Sequence, residues 1–198
     1  MDMIGKLAPG ITSLIRLDHG HVLNTFHQVR AGLPARRKQA LVDSACLALE
    51  MHAQLEEEIF YPTLRELALD QQVVERNYPE HAEMRRLVTQ LRGLPATDPA
   101  YDESVLQLMR TVMHHVADEE TTLLPAAERL MPERLGALGA EFTRRRLQLL
   151  AAHAGEMMGQ AARGFPESMA VMASSAMSAP GYLLGGTAPG ASRGGWFR

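Results

Sequence analysis

His52-Ala53-Gln54-Leu55-Glu56-Glu57-Glu58-Ile59-Phe60-Tyr61-Pro62 is the stretch on which the reading of this chain turns. Sixty-three residues later the chain repeats the pattern in His115-Val116-Ala117-Asp118-Glu119-Glu120-Thr121-Thr122-Leu123-Leu124-Pro125. Both copies read His-x3-Glu-Glu-x4-Pro, and both sit in long runs that read as helix. A helix stacks residues four apart on one face, so His52 with Glu56, and His115 with Glu119, project as two pairs. Each pair offers one imidazole and one carboxylate, a donor set that suits a divalent transition metal such as iron or manganese. One copy alone could be a surface helix carrying a chance histidine. Two copies with matching prolines are much harder to explain that way.

The repeat extends backwards. His19 lies 33 residues before His52, and His81 lies 34 before His115. Each half of the chain therefore reads His, a long spacer, then His-x3-Glu. One helical hairpin cannot bury its apolar faces alone, but two can close on each other as a four-helix bundle. Pseudo-twofold pairing would bring four histidines and two glutamates together in the interior. The expected fold class is all-α, an up-down four-helix bundle with an additional C-terminal helix and a flexible tail.

Composition agrees with that class. Of 198 residues, 46% are hydrophobic and only 5% aromatic, and β-branched runs are few. A net charge of −3 gives no reason to expect a nucleic-acid partner, and the patches Arg36-Arg37-Lys38 and Arg144-Arg145-Arg146 read as short and solvated. No charged-then-apolar leader is seen at the N-terminus, and no apolar run is long enough to span a bilayer, so the expected address is the cytoplasm. The single cysteine, Cys46, reads as a small buried residue of the second helix.

Along the chain, Thr12 or Ser13 is positioned to cap a first helix running to about Arg30, with Ile15, His19, Val22 and Phe26 on one stripe. Gly32-Leu33-Pro34 is a turn. The second helix runs from about Ala35 to Tyr61 and should kink or end at Pro62. For the third, Pro79 marks either the helix start or a kink in an earlier helix; its stripe is His81, Met84, Val88 and Leu91. Asp98-Pro99 is a clean start for the fourth, which carries Val105, Leu108, Val112, His115, Glu119 and Leu123 inward. After Met131-Pro132, residues 133–163 read as an amphipathic fifth helix with Leu135, Leu138, Phe142, Leu147 and Leu150 inward. The resulting division is a bundle at 10–130, that helix at 133–163, and a Gly/Ala/Ser/Pro/Met tail at 164–198. The tail carries only Glu167, Arg193 and Arg198 as charges and is expected to be flexible. The alternative is a short docking peptide on a linker, in a tail that holds the chain's one tryptophan, Trp196.

Two metals held a few ångströms apart need shared ligands, and carboxylates bridge through their two oxygens. With Glu56 and Glu119 bridging and two histidines on each side, each metal has four protein ligands. An oxo or hydroxo bridge makes a fifth, and the remaining octahedral position is where dioxygen or peroxide can bind. A structural zinc needs only four ligands. Neither the His-Glu-x-x-His of zinc peptidases nor the Glu-x-x-His of ferritin-like di-iron proteins is present.

Asp18-His19, His52-x3-Glu56-Glu57, Glu80-His81 and His115-x3-Glu119-Glu120-x4-Pro125 together resemble the hemerythrin and HHE cation-binding family over about residues 10–130. The resemblance implies a bundle holding two iron ions in a non-haem centre. By it, His19 and His52 are terminal ligands of one iron, His81 and His115 of the other, and Glu56 and Glu119 bridge. The roles it implies include binding or sensing dioxygen or a related small oxidant. The alternative is an enzyme acting on peroxide, nitric oxide or ferrous iron. Oxygen-carrying members have a fifth histidine four residues before the position of His81; here that residue is Asn77. Their second carboxylate is an aspartate five residues after its histidine, where this chain has Glu119 four after His115. Both departures place the chain with the wider HHE group. His114 reads as partly exposed, and His21, His27 and His153 as surface or supporting residues. Glu57, Glu58 and Glu120 read as solvated, and Tyr61 as a neighbour of the centre.

Overall fold

Pro9 and Gly10 give way to the first helix at Ile11, and the computed structural model describes residues 9–67 and 71–155. Expectations for the stretch 156–163 and for the tail at 164–198 lie outside the described residues. The helices are α1 (Ile11–Gln28), α2 (Ala35–Leu55), α3 (Tyr61–Arg65), α4 (Gln71–Glu75), α5 (Asn77–Arg92), α6 (Pro99–Thr121), α7 (Leu123–Leu130) and α8 (Leu135–Ala152). Helices α1 and α2 form one hairpin and α5 and α6 the other; α2 meets α5, α1 meets α6, and α8 lies across α1 and α2. No described helix is long and apolar enough to cross a membrane.

Several element ends differ from the sequence reading. Helix α1 is entered from Gly10 without a side-chain cap, and Thr12 is buried rather than capping. The second helix does not stop at Pro62. It loosens into a π turn over Glu56–Phe60, where the Tyr61 N–H donates to the Glu56 carbonyl, and then resumes as α3. Pro62 has no N–H and its ring crowds the carbonyl four residues back, so a wider turn at this point relieves the clash. Pro79 lies in the first turn of α5, where its missing N–H is not needed. The break falls at Arg76, between α4 and α5, so the earlier-helix alternative is the one realised. The side-chain amide of Asn77 closes that join by donating to the carbonyls of Val73 and Val74 at 2.9 and 3.3 Å. Asp98 caps α6 as expected, accepting from the Ala100 N–H at 2.8 Å.

Two apolar cores fill the bundle, one at each end. Val22, Phe26, Ala45, Cys46, Met84, Leu87, Val105 and Leu108 belong to one. Ile11, Leu14, Leu55, Phe60, Leu64, Leu123, Leu124 and Met131 belong to the other. On α1, His19 falls between the two groups, with Ile11, Leu14 and Ile15 on one side and Val22 and Phe26 on the other. Helix α8 is part of the second core through Leu138, Phe142 and Leu149. Leu147, expected inward, is 51% exposed, while Arg146 beside it is buried at 5%. The helical period turns Leu147 about 100° from Arg146.

Close approach of α8 to the start of α1 depends on Gly139. A Cβ there would lie 2.1 Å from the Pro9 carbonyl oxygen, a backbone atom that no side-chain rotation can move. Gly139→Ala is therefore expected to lift α8 off the bundle and destabilise the chain by about 1–3 kcal/mol, as overpacking does. Leu147→Ala is the exposed control and should stay within about 0.5 kcal/mol of the unmodified protein. Urea melts of the two variants check both expectations.

Candidate metal centre

Helices α1, α2, α5 and α6 each bring one histidine to the same level, and α6 and the π turn after α2 add a glutamate apiece. His19, His52, Glu56, His81, His115 and Glu119 are all between 0 and 3% exposed. The Nε2 of His19 lies 3.3 Å from Glu119 Oε2, and that of His52 3.3 Å from Glu56 Oε1. His81 Nε2 is 3.4 Å from Glu56 Oε2 and 3.3 Å from His115 Nε2. His115 Nε2 is 3.9 Å from an oxygen of each carboxylate. Two overlapping groups result, His19–His52–His115–Glu119 and Glu56–His81–His115, each with donor atoms within 4.8 Å of one another. All six residues singled out from the sequence meet in one place.

The charges of this cluster do not balance among themselves. Burial and the neighbouring Glu119 push the Glu56 carboxyl well above its ordinary range. Burial acts the same way on Glu119, but the His19 and His115 imidazoles outweigh it and hold Glu119 at about 2. Burial works against the charged form of His19 as well, yet Glu119 raises it to about 9. His52, driven by burial, falls to about 4. The Nε2 atoms of His19 and His52, Oε1 of Glu56 and both oxygens of Glu119 are buried without a hydrogen-bond partner. Two pairs of these atoms, His19 Nε2 with Glu119 Oε2 and His52 Nε2 with Glu56 Oε1, stand 3.3 Å apart yet lack the angles of hydrogen bonds, so they face shared space rather than each other. An unsatisfied buried polar atom costs about 1–3 kcal/mol, which makes such a cluster unstable unless something cationic completes it. Imidazole and carboxylate donors of this geometry fit divalent transition metals.

The opposite face of every ring is held by a carboxylate. His19 Nδ1 pairs with Glu120 at 2.9 Å, His81 Nδ1 with Glu57 at 2.9 Å, His115 Nδ1 with Glu80 at 3.0 Å and His52 Nδ1 with Asp18 at 3.4 Å. Such a partner fixes which ring nitrogen faces the metal and increases its basicity. Glu57 and Glu120 are thus not simply solvated, as the sequence reading had them. Arg85 grips Glu57 with two bonds of 2.9 and 2.8 Å, and hydrogen bonds from His81 and Arg85 overcome burial to hold Glu57 at about 2. Glu58 also has a partner, Arg145 of α8, at 2.6 Å. The pattern was written in the repeat. An acid precedes the first histidine of each half (Asp18, Glu80), and another follows each inner glutamate (Glu57, Glu120). A ligand-only reading passes over these four because they point about 100° away from the metal-facing residues.

Tyr61 is the other addition. Its ring stacks on His81, with centroids 5.5 Å apart, and its hydroxyl lies 3.2 Å from Glu56 Oε2 and 3.3 Å from His81 Nε2. In a regular α-helix, residues five apart sit about 140° round the axis from each other. The π turn closes five residues into one turn and so brings Tyr61 onto the face of Glu56. The equivalent position in the second copy is Leu124, a core residue. Of the remaining histidines, His114 is largely exposed and approaches Glu80 at 3.5 Å, His27 is exposed, and His21 is half-buried.

The family model of the hemerythrin HHE cation binding domain matches residues 10–127. The chain belongs to this family. A protein of Nostoc sp. named DNA nickase is 33% identical over 116 residues, which are 59% of this chain and 33% of that protein. The chain therefore spans about a third of the length of this relative. A crystal structure of a hemerythrin HHE cation binding domain-containing protein from Mycobacterium kansasii superposes with a TM-score of 0.66 at 17% identity. The superposition covers 84% of this chain and 98% of that one, a likeness of fold.

Within this HHE-family centre, the carboxylates behind the rings give a graded expectation. Glu56→Ala should abolish tight metal binding at its side of the cluster. Glu57→Gln should weaken it about ten- to a hundred-fold while the fold survives. Glu58→Gln, whose carboxylate turns outward to Arg145, should leave metal affinity unchanged. Competition with a chromogenic chelator ranks the three.

Proposed function

We propose that this HHE-family chain carries a non-haem di-iron centre and uses it to bind or sense dioxygen or a related small oxidant. His19 and His52 would hold one ion and His81 and His115 the other, with Glu56 and Glu119 as the carboxylates shared between them. The observation that carries this reading is the convergence of unpartnered, buried imidazole and carboxylate atoms in two overlapping groups. Iron held there supplies electrons to an oxidant. The chain's own part is to orient and to shield. Four carboxylates fix the rings, and the two apolar cores above and below keep bulk water from the centre.

Tyr61 holds a hydroxyl proton within reach of Glu56 and His81, and nothing equivalent stands at Leu124. Proton delivery is therefore one-sided, which favours a second reading: an enzyme acting on peroxide, nitric oxide or ferrous iron, with Tyr61 as the proton donor. Asn77, where a fifth histidine would stand in an oxygen carrier, commits its amide nitrogen to the backbone of α4, while its amide oxygen is buried without a partner. That choice supports sensing or turnover over reversible carriage. The nicking activity in the name of the Nostoc relative is left out of the proposal, because two thirds of that protein lies beyond the match.

Elemental analysis of protein purified from iron-replete cells should give about two iron atoms per chain, the number that six donors in two groups can hold. A single tightly bound zinc would overturn the reading. The reduced protein should oxidise in air within about minutes without a lasting oxygen adduct, given its few nitrogen donors. Optical spectra after oxygen addition check this. Tyr61→Phe separates the two functions. Steady peroxide consumption that falls about ten- to a hundred-fold in the variant marks an enzyme using that proton. A stoichiometric change unaffected by the variant marks a binder or sensor.

A further inference from the structure

Three of the four carboxylates behind the rings lie in the bundle with any cationic partner they have. Asp18 is different, because its partner comes from outside. The guanidinium of Arg146, on α8, makes a short ion pair with Asp18 Oδ2, the same oxygen that faces His52 Nδ1 at 3.4 Å. Arg146 lies beyond the 10–127 region that defines the family match. It is 5% exposed, and its guanidinium also sits over the Phe142 ring at 4.9 Å. A buried arginine of this kind is tolerated only because it is paired, so Arg146 and Asp18 hold each other in place.

Packing does not do this work at His52. A cavity of about 30 Å³ lies between α1, α2 and α8, lined by Asp18, His21, Met51, His52, Arg146 and Leu150. That is space enough for a water molecule, and therefore for the imidazole or the Asp18 carboxylate to shift. The His52–Asp18 link is also the longest of the four, against 2.9–3.0 Å for the other three. The ring with the weakest grip and a cavity beside it is thus the one tied to α8.

We infer that Arg146 is a positioning residue of the metal centre: acting through Asp18, it holds the His52 ring in ligating orientation and makes α8 a working part of the site. The inference rests on the proposal that His52 ligates a metal. It predicts that loosening α8 selectively weakens the ion on the His19–His52 side and leaves the His81–His115 side intact, whose carboxylates are held within the bundle.

The test follows iron release from the iron-loaded full chain to an excess chelator under anaerobic conditions. The unmodified protein, Arg146→Met, Asp18→Asn and the double variant are compared, with thermal melts of each. The expected result is biphasic release in Arg146→Met. One of two ions should leave about ten- to a hundred-fold faster. Asp18→Asn and the double variant should show the same fast phase, because all three break one chain of contacts. Equal release from the unmodified protein and Arg146→Met would overturn the inference, as would a lower melting temperature with unchanged release. Faster release of both ions, or additive effects in the double variant, would overturn it too. If Arg146→Met does not fold, Arg146→Gln is measured in its place. Glutamine keeps a polar end but neither the charge nor the reach of the guanidinium, so faster release of one ion supports the inference and unchanged release overturns it. An unmodified protein that takes up no iron would instead defeat the underlying metal reading, a result visible before any variant is compared.

Discussion

Two glutamates at the centre of a four-helix bundle, both fully buried and close to one another, are the constraint that the rest of this structure answers. Ionised carboxylates in an apolar interior are unfavourable by several kcal/mol each unless charge is supplied. His19 supplies part of it only by taking up a proton, and His52 resists doing so because it is buried. A pair of divalent cations, as proposed, would resolve the conflict for both carboxylates and all four rings at once. The bundle then has to do two things: keep the six donors at one level and keep water out.

Separate structural features do each. The two apolar cores close the cluster from both ends, and α8 supplies Leu138, Phe142 and Leu149 to one of them. Orientation comes from the ring of acids behind the histidines. The duplicated hairpin explains its pattern: the acid ahead of each outer histidine holds the inner histidine of its own hairpin, whereas the acid after each inner glutamate crosses to the other hairpin. Glu57 reaches His81 and Glu120 reaches His19, so these contacts also lock the two hairpins in register.

The duplication is imperfect where function is concerned. Pro62 follows a π turn that swings Tyr61 over Glu56, while the second copy breaks at Thr122 and places Leu124 in the core. Arg85 secures the acid behind His81 from within the bundle, and Arg146 secures the acid behind His52 from α8. A site built from matching halves thereby acquires one polar, proton-bearing side and one side tied to an appended helix. In the proposed centre, such asymmetry would let the two metal positions differ in reactivity.

The sequence by itself determined the bundle and the six inward donors. Helical period and a repeated spacing suffice for that, because residues four apart share a face whatever the helix packs against. It also carried the four supporting acids in plain view at matched places beside His19, His81, Glu56 and Glu119. Their role was not legible, since the partner of each lies on another helix and depends on register between hairpins. Only the tertiary structure decided that Arg146, read from composition as part of a solvated arginine run, turns inward while Leu147 turns out. Period alone gives the angle between neighbouring residues but not which angle faces the core, and that was set by how α8 lies across α1 and α2. The π turn was decided in the same way: Pro62 disfavours a regular helix there, but that the chain widens rather than ends follows from Phe60, which closes the turn, and Tyr61 and Leu64 beyond it all being buried.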